Sequence, residues 1–300
     1  MSRYVVTGAA GFIGSHLVEA LLARGDDVRA VDCFTDYYDP ALKEQNAASF
    51  DVERLDLAVD ALDLRGVDGV FHLAAQPGVR SSFEHLDVYL RRNVLATQRV
   101  LEAASAAETR VVFASSSSVY GDAERYPTPE ATEPHPISPY GITKVACEHL
   151  ARAYPVESVA LRYFTVYGPR QRPDMAFARL VEAALEGTEF QLYGDVSRAF
   201  TFVADAVEAT IASMEAAPGD AVYNVGGGEE ATMHEAIALL ERVAGSTIRV
   251  RRHAAARGDA RRTAADISRI QGELGWSPTT SLEAGLRAQW SWAADRVAAG

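Results

Sequence analysis

The stretch from Tyr4 to Leu17, YVVTGAAGFIGSHL, constrains the chain more than any other. A short apolar run, Tyr4-Val5-Val6, has strand character, and Gly8, Gly11 and Gly14 then punctuate the entry into a helix of apolar period. Glycine at each of these points has its own physical reason. The first permits a sharp turn, the second lets a phosphate approach without a Cβ in the way, and the third lets helix and strand pack closely. The helix that follows starts with unsatisfied N–H groups and the positive end of its dipole, which together suit an anion. A glycine triplet alone is a weak signal, equally compatible with an ordinary tight βα turn beside a solvated acid. Its setting strengthens it: strand before, helix after, and Asp32 closing the next apolar run, Val28-Arg29-Ala30-Val31. An acid at that distance is placed to grip an adenosine ribose, and its charge repels a 2′-phosphate, so the spacing favours NAD over NADP.

The 300 residues, 48% hydrophobic and 23% charged, suffice for a large core, split in two if need be. A formal charge of −12 disfavours nucleic acid or an anionic membrane as partner. It also means that an anionic substrate must meet a local basic pocket. With the first strand so near Met1 no signal peptide is expected, and no apolar stretch approaches membrane-spanning length. Cys33 and Cys147 stand apart, without C-x-x-C spacing, so neither a disulfide nor a metal is indicated. A cytoplasmic protein is expected.

Strand and helix signals alternate from Met1 to about Tyr163. Strands are predicted at Val28–Asp32, Phe50–Leu55, Gly69–Leu73, Arg110–Ser115 and Ser158–Arg162, and helices at Phe12–Ala23, Ala58–Leu64, Phe83–Ala107 and Tyr140–Ala153. This rhythm predicts an α/β fold: a Rossmann-type, doubly wound parallel sheet. Two loops, Cys33–Asn46 and the proline-rich Asp122–Pro139, are longer than connection requires, and long loops at such a sheet's carboxyl edge tend to be functional. After Phe164 the rhythm changes. Helices at Ala176–Glu186, Ala204–Ala216, Met233–Ala244, Ile267–Leu274 and Leu282–Ala298 are separated by extended pieces at Phe190–Tyr193, Ala221–Val225 and Ile248–Arg252. They predict a smaller α+β C-terminal lobe for substrate, residues 164–300, with short returns to the first domain, residues 1–163.

Tyr140 and Lys144 form a Y-x-x-x-K pair opening a helix after Pro139, and the i, i+4 spacing puts both side chains on one face. An ammonium beside a phenol stabilises the phenolate, so a tyrosine placed in this way can act as general base and acid. On its own the pair is a common amphipathic surface pattern. Beside a dinucleotide turn and the run Ser115–Ser118 ending a central strand, it points to chemistry.

The chain resembles the extended short-chain dehydrogenase/reductase family, and within it the nucleotide-sugar epimerases, nearly end to end. The resemblance rests on Thr7–Gly14, His72-Leu73-Ala74-Ala75, Asn93, Ser115–Gly121, Tyr140–Lys144, Arg162-Tyr163-Phe164 and Gly194. Gly258-Asp259, Ala265-Asp266-Ile267 and Leu274-Gly275-Trp276 extend it to the C-terminus. It implies that Gly8, Gly11, Phe12, Ile13 and Gly14 cradle the pyrophosphate of NAD, with Asp32 on the ribose and Asp56 and Leu57 by the adenine. Leu73, Ala74, Ala75 and Asn93 would line the cofactor. Ser116 would hydrogen-bond the reacting hydroxyl, with Tyr140 as base and Lys144 as its tuner and ribose ligand. Gln191, Tyr193, Arg198, Arg257 and Asp259 would meet the nucleotide and diphosphate. The family's usual proline is replaced in Ala256-Arg257-Gly258-Asp259, which shifts the backbone point from which Arg257 reaches out.

Among these epimerases, Asp32–Asn46, Gln76–Arg80 and Thr165–Ala176 are most similar to UDP-glucuronate 4-epimerases. Thr165 stands where many relatives carry Asn. A uronate adds a carboxylate, for which an arginine fork is the natural partner; Arg172 is expected to fill that role, with Ser116, Ser117 and Ser118 as hydroxyl donors. Arg80, Arg170 and Arg179 are equally compatible with lobe-bridging places. Relatives that decarboxylate or dehydrate carry Glu directly before Val-Tyr-Gly, where this chain has Ser118. The implied reaction is C4 epimerisation of UDP-glucuronate to UDP-galacturonate through a 4-keto sugar, without net redox change. UDP-glucose 4-epimerase, UDP-glucuronate decarboxylase and a non-catalytic NAD sensor remain as alternatives. Family habit implies a homodimer built on the helices near Phe83–Ala107 and Tyr140–Ala153.

Overall fold

The short apolar runs become strands covered by helices on both faces, which is why they read as nearly continuous hydrophobic stretches. The computed structural model describes every residue except Asp195, Ala256 and Gly300. The first half contains β1 (Arg3–Thr7), α1 (Phe12–Ala23), β2 (Asp27–Asp32), α2 (Pro40–Asn46), β3 (Val52–Arg54), β4 (Gly69–His72) and α3 (Leu86–Tyr89). It continues with α4 (Ala96–Ala107), β5 (Arg110–Ser116), α5 (Pro139–Ala153) and β6 (Ser158–Tyr163). The second half adds β7 (Val166–Tyr167), α6 (Ala176–Glu186), β8 (Glu189–Tyr193), β9 (Ser197–Ala199), β10 (Thr201–Phe202), α7 (Val203–Ala216) and β11 (Ala221–Val225). It ends with β12 (Glu230–Thr232), α8 (Met233–Ala244), β13 (Arg249–His253), β14 (Arg262–Thr263), α9 (Ser268–Leu274) and α10 (Leu282–Ala299).

Seven strands form one sheet in the order β11-β6-β5-β4-β1-β2-β3, every pair parallel. The order reverses between β1 and β4, and open α/β sheets bind ligands outside the carboxyl ends of the strands at such a reversal. Consecutive strand residues face opposite sides. Val6 and Phe71 therefore join Leu17, Leu21, Leu161 and Tyr223 in one core, while Val5 and Val70 join Val31, Leu101, Phe113 and Cys147 in the other. A further core of Tyr167, Phe177, Leu180, Phe190, Leu240 and Leu286 holds α6, α8 and α10 over the parallel pair β8–β13.

Four segments differ from the sequence reading. Ala58–Leu64 is a turn and extended chain, not a helix. Asp56 closes the turn by accepting from the Ala58 N–H (3.0 Å), Asp60 accepts from the Asp56 N–H (2.8 Å), and Leu62 and Leu64 both point into the core. Seven residues with such local competition cannot sustain a helix nucleus. The expected single helix Phe83–Ala107 is broken. A 3₁₀ turn at Ser81–Phe83 precedes a non-helical His85, and a π-helical stretch, Leu90–Leu95, separates α3 from α4. The Cys33–Asn46 loop contains α2, capped by the Asp39 side chain on the Ala41 N–H (2.9 Å) and started by Pro40. Ala221–Val225, grouped by sequence with the smaller lobe, is β11 and pairs with β6 at the edge of the main sheet. Among the described residues no helix is long and apolar enough to cross a membrane, and no cluster of His, Cys, Asp and Glu is suited to a metal.

Candidate active site

The loop between β1 and α1 needs its glycines. Gly8 has φ +71°, and a Cβ there would lie 2.7 Å from the Ala74 nitrogen; one on Gly14 would lie 2.1 Å from the Gly8 oxygen. At Gly11 a Cβ would meet only the Gly8 oxygen, at 3.0 Å, so its outer side is clear. Gly11 caps α1 without any side-chain hydrogen bond, and the first turn holds no acid. Bare N–H groups, a positive helix end and no competing carboxylate on the helix fit a pyrophosphate. Asp32 ends β2 beside this turn. Its carboxylate accepts from the Ala10 N–H (3.1 Å) and the Phe34 N–H (2.8 Å), so it shapes the loop as well as offering an acid to a ribose.

Around this turn the expected cofactor residues fall into two groups. Leu73, Ala74 and Ala75 are half-buried just past β4, where the Ala74 N–H donates to Thr7 Oγ1 (3.2 Å). Asp56 is at the surface, paired with Arg91 at 2.7 Å. Leu57 is buried in the core, and Asn93 is fully buried, which sequence spacing did not foretell. The π-helical stretch turns Asn93 inward, where its amide accepts from the Gln76 N–H (2.6 Å) and donates to Gln76 O (3.2 Å) and Thr143 Oγ1 (3.0 Å). Its side chain thus ties the loop after β4 to α5. An extra residue inside a helix is often found beside functional sites.

Helix α5 delivers Tyr140 and Lys144. Ser138 caps it by accepting from the Gly141 N–H (3.1 Å), Pro139 pre-sets the first turn, and Ser82 Oγ accepts from the Tyr140 N–H (3.1 Å). Lys144 is buried, donates Nζ to Ala114 O (2.7 Å), and lies 5.9 Å from the centre of the Tyr140 ring. Ser116, at the end of β5, accepts from the Ser118 N–H (3.1 Å), which forms the serine turn; Ser117 and Ser118 are half-buried there. A Cβ on Gly141 would sit 2.5 Å from the Ser118 oxygen, so helix and serine turn meet as closely as backbones can. Tyr89 packs edge-on to Tyr140 with ring centres 6.2 Å apart. Its hydroxyl is pinned by Ser81 (2.5 Å) and the Pro77 carbonyl (2.7 Å).

Beneath the serines lies a buried ion pair. Glu148, one turn beyond Lys144, accepts from Arg162 Nε (2.9 Å), Arg162 Nη2 (2.6 Å) and Ser115 Oγ (2.6 Å). Arg162 also donates to Tyr120 Oη at 2.7 Å. At the end of β4, His72 is enclosed between Thr7 Oγ1 (2.8 Å) and Thr97 Oγ1 (3.0 Å). Burial, with the Lys144 charge behind it, pushes the His72 pKa down to about 3. Ser82, Gly141, Glu148 and Tyr89 escaped the sequence reading. Only Ser138 carried a local signal, as a serine before proline at a helix start.

The second half supplies arginines and an aromatic wall. Tyr193 stacks on His253 with centres 4.8 Å apart, and Arg80 lies 4.6 Å over its ring. His253 also meets Gln191 Oε1 at 2.6 Å. Arg198 donates to the carbonyls of Ser197 (2.9 Å) and Ala260 (2.5 Å) and has no carboxylate among these hydrogen-bond partners. Burial lowers its pKa, though a guanidinium stays charged, and so it suits an incoming diphosphate. Arg257 lies over the Phe83 ring at 4.4 Å, and Asp259 pairs with Arg80 at 2.9 Å; both contacts join the two halves. Arg170 does the same through Glu19 (2.8 Å). Thr165 is half-buried, directly before β7. Arg172 is mostly buried. Burial alone would lower its pKa, but Asp174, assisted by Tyr37 and Tyr140, more than offsets this and raises it.

A βαβ turn built for a pyrophosphate, a Tyr-Lys helix docked on a serine turn and an arginine-rich second lobe define a dinucleotide-dependent enzyme class. The model of the NAD dependent epimerase/dehydratase family matches residues 4–226, and the chain belongs to that family. An uncharacterized UDP-glucose epimerase, YtcB, of Bacillus subtilis is 41% identical over 95% of both chains. The UDP-glucuronic acid 4-epimerase of Bacillus cereus, solved with UDP-glucuronic acid and NAD, superimposes with a TM-score of 0.95 at 38% identity, covering 98% of this chain and 99% of that one. MoeE5, solved with UDP-glucuronic acid and NAD, is 42% identical with a TM-score of 0.89, covering 98% of this chain and all of its own.

Proposed function

We propose that the chain is an NAD-dependent 4-epimerase of UDP-sugars whose main substrate is UDP-glucuronate, converted to UDP-galacturonate. The observation that carries this reading is the docking of α5 on the serine turn, which gathers Tyr140, Lys144 and Ser116 at the carboxyl ends of the central strands. In this reading Gly8, Gly11, Phe12, Ile13 and Gly14 hold the pyrophosphate and Asp32 the adenosine ribose, with Asp56 at the adenine. When bound, the dinucleotide supplies reversible hydride exchange with the sugar carbon. Tyr140 Oη would remove the proton of the C4 hydroxyl, which Ser116 Oγ would orient, while Lys144 would stay an ammonium and stabilise the phenolate that exists before that transfer and again after the proton goes back. The resulting 4-keto sugar would turn about its diphosphate link, and with hydride returned to the opposite face of C4 the same Tyr140 would give its proton back to the C4 oxygen. Tyr193, Gln191 and Arg198 hold the nucleotide and diphosphate through that turn.

The uronate preference rests on Arg172, a mostly buried guanidinium beside the Tyr140 site, and on the likeness to the Bacillus cereus enzyme, with Thr165 and the serines as neutral donors. YtcB keeps UDP-glucose as the second reading. Exposed Leu86, Leu90, Leu95 and Ile142 on neighbouring helices offer a surface for a homodimer, and the unpaired Cys33 and Cys147 suit the cytoplasm. The test is incubation with UDP-glucuronate and, separately, UDP-glucose, with products identified by NMR. UDP-galacturonate with a higher kcat/KM for the uronate is expected, and Tyr140→Phe should lose about 10²–10⁴-fold in kcat. A pentose product with released CO₂, or preference for UDP-glucose, would overturn the reading.

A further inference from the structure

The guanidinium given to the substrate's carboxylate is already held by a carboxylate of this chain. Asp174, across Pro173, accepts from Arg172 Nε at 3.0 Å on one oxygen and from Nη2 at 3.1 Å on the other. This is the side-on, two-point geometry that a uronate would itself use. The Arg172 side chain is 18% and the Asp174 side chain 39% exposed. Tyr37, from the loop after β2, donates to Asp174 Oδ2 at 3.3 Å. Burial first, and the Asp174 charge second, raise the Tyr37 pKa and keep it a donor. Tyr37 is hemmed in from behind, since a Cβ on Gly78 would lie 2.2 Å from its hydroxyl. Asp174 is thus fixed both by its own loop and by the loop after β2.

We propose that Asp174 is a specificity-determining residue that shares Arg172 with the C6 carboxylate of the substrate, an inference that rests on the uronate reading above. A uronate approaching Arg172 meets an ion pair of no net charge and is held less firmly than by a bare guanidinium. Epimerisation needs this weakness, because the sugar must turn between its two visits to Tyr140 and its carboxylate must let go of one set of contacts. The pair has a second effect. A neutral hexose leaves Arg172 without a substrate carboxylate, and Asp174 spares the site an uncompensated, mostly buried cation. Asp174 therefore narrows the gap between charged and neutral sugars from both sides.

Asp174→Asn removes the competing charge and keeps the shape. A unit charge a few ångströms from the substrate carboxylate, discounted for the exposure of Asp174, corresponds to roughly a tenfold change in KM. The KM for UDP-glucuronate is expected to fall about tenfold and its kcat to fall as well, while the KM for UDP-glucose rises; Asp174→Ser is expected to act in the same direction. In an Arg172→Ala background Asp174→Asn should lower the uronate KM by a smaller factor than in the parent, because only the direct repulsion between the two carboxylates is left to relieve. A role confined to orienting Arg172 would instead raise the uronate KM in Asp174→Asn, and that result, or an unchanged KM, overturns the proposal. An unchanged uronate KM in Arg172→Ala alone overturns it differently, by removing the uronate reading on which it stands.

Discussion

Glu148→Gln is the most demanding single test of the scaffold under the serine turn. The Glu148 and Arg162 side chains are 4% and 3% exposed, so water cannot replace what the substitution removes. One end of the new amide can still accept from Ser115 Oγ and Arg162 Nε, now 2.6 and 2.9 Å from Oε1. Its other end then presents N–H groups to Arg162 Nη2, now 2.6 Å from Oε2, setting donor against donor. Burial alone would lower the Arg162 pKa, but its hydrogen bonds to Glu148, and after them the Glu148 charge, more than offset this and raise it. Breaking a buried pair by removing one partner costs about 3–5 kcal/mol, because a buried cation is left without a counter-ion. At about 2 °C per kcal/mol for a chain of this size, the thermal midpoint should fall by roughly 6–10 °C. Urea unfolding followed by tryptophan fluorescence should show a lower midpoint with an unchanged slope. Because Glu148 follows Lys144 on the same face of α5, kcat should fall well below the melting range. A midpoint within about 2 °C of the parent would refute the reasoning.

Gly141→Ala places a Cβ 2.5 Å from the Ser118 oxygen and 2.9 Å from Pro136 Cβ, so the serine turn must move away from Tyr140. Initial rates should show kcat down on the order of 10²-fold, the scale of a 1 Å misplacement, with KM little changed; a rate within about twofold would mean the contact has slack. His72, with its pKa held at about 3 in the fold and near 6.5 when unfolded, binds a proton more readily in the unfolded chain. Its contribution is therefore intact above about pH 6.5 and is lost progressively below it, by up to about 1.4 kcal/mol per pH unit towards pH 3. The stability of His72→Gln should depend on pH less steeply by about one proton between pH 6 and 4, as read from urea midpoints.

The parts of this site legible in the sequence are those whose physics is local. Gly8, Gly11 and Gly14 declare a backbone path that few other residues tolerate, and Tyr140 and Lys144 share a helix face whatever surrounds them. What the sequence concealed depends on distant partners. The resemblance points Asn93 to the cofactor, but spacing gives no sign that its amide also joins Gln76 and Thr143, residues 17 positions before it and 50 after it. Arg172 looked like a free fork because its partner Asp174 reads as an ordinary polar neighbour across a proline. Ala58–Leu64 has helical composition, but Asp56 and Asp60 spend their side chains on the backbone instead. The apolar run Ala221–Val225 gave no hint of which sheet it would join, since period alone cannot name a partner strand.

The late return of β11 to the outer edge beside β6, with α7 packed on α1, means that the polypeptide passes between the two halves more than once. A gene cut at Tyr163 would encode a fragment with a bare sheet margin and an uncovered helix, so the nucleotide-binding half is not a transplantable cassette.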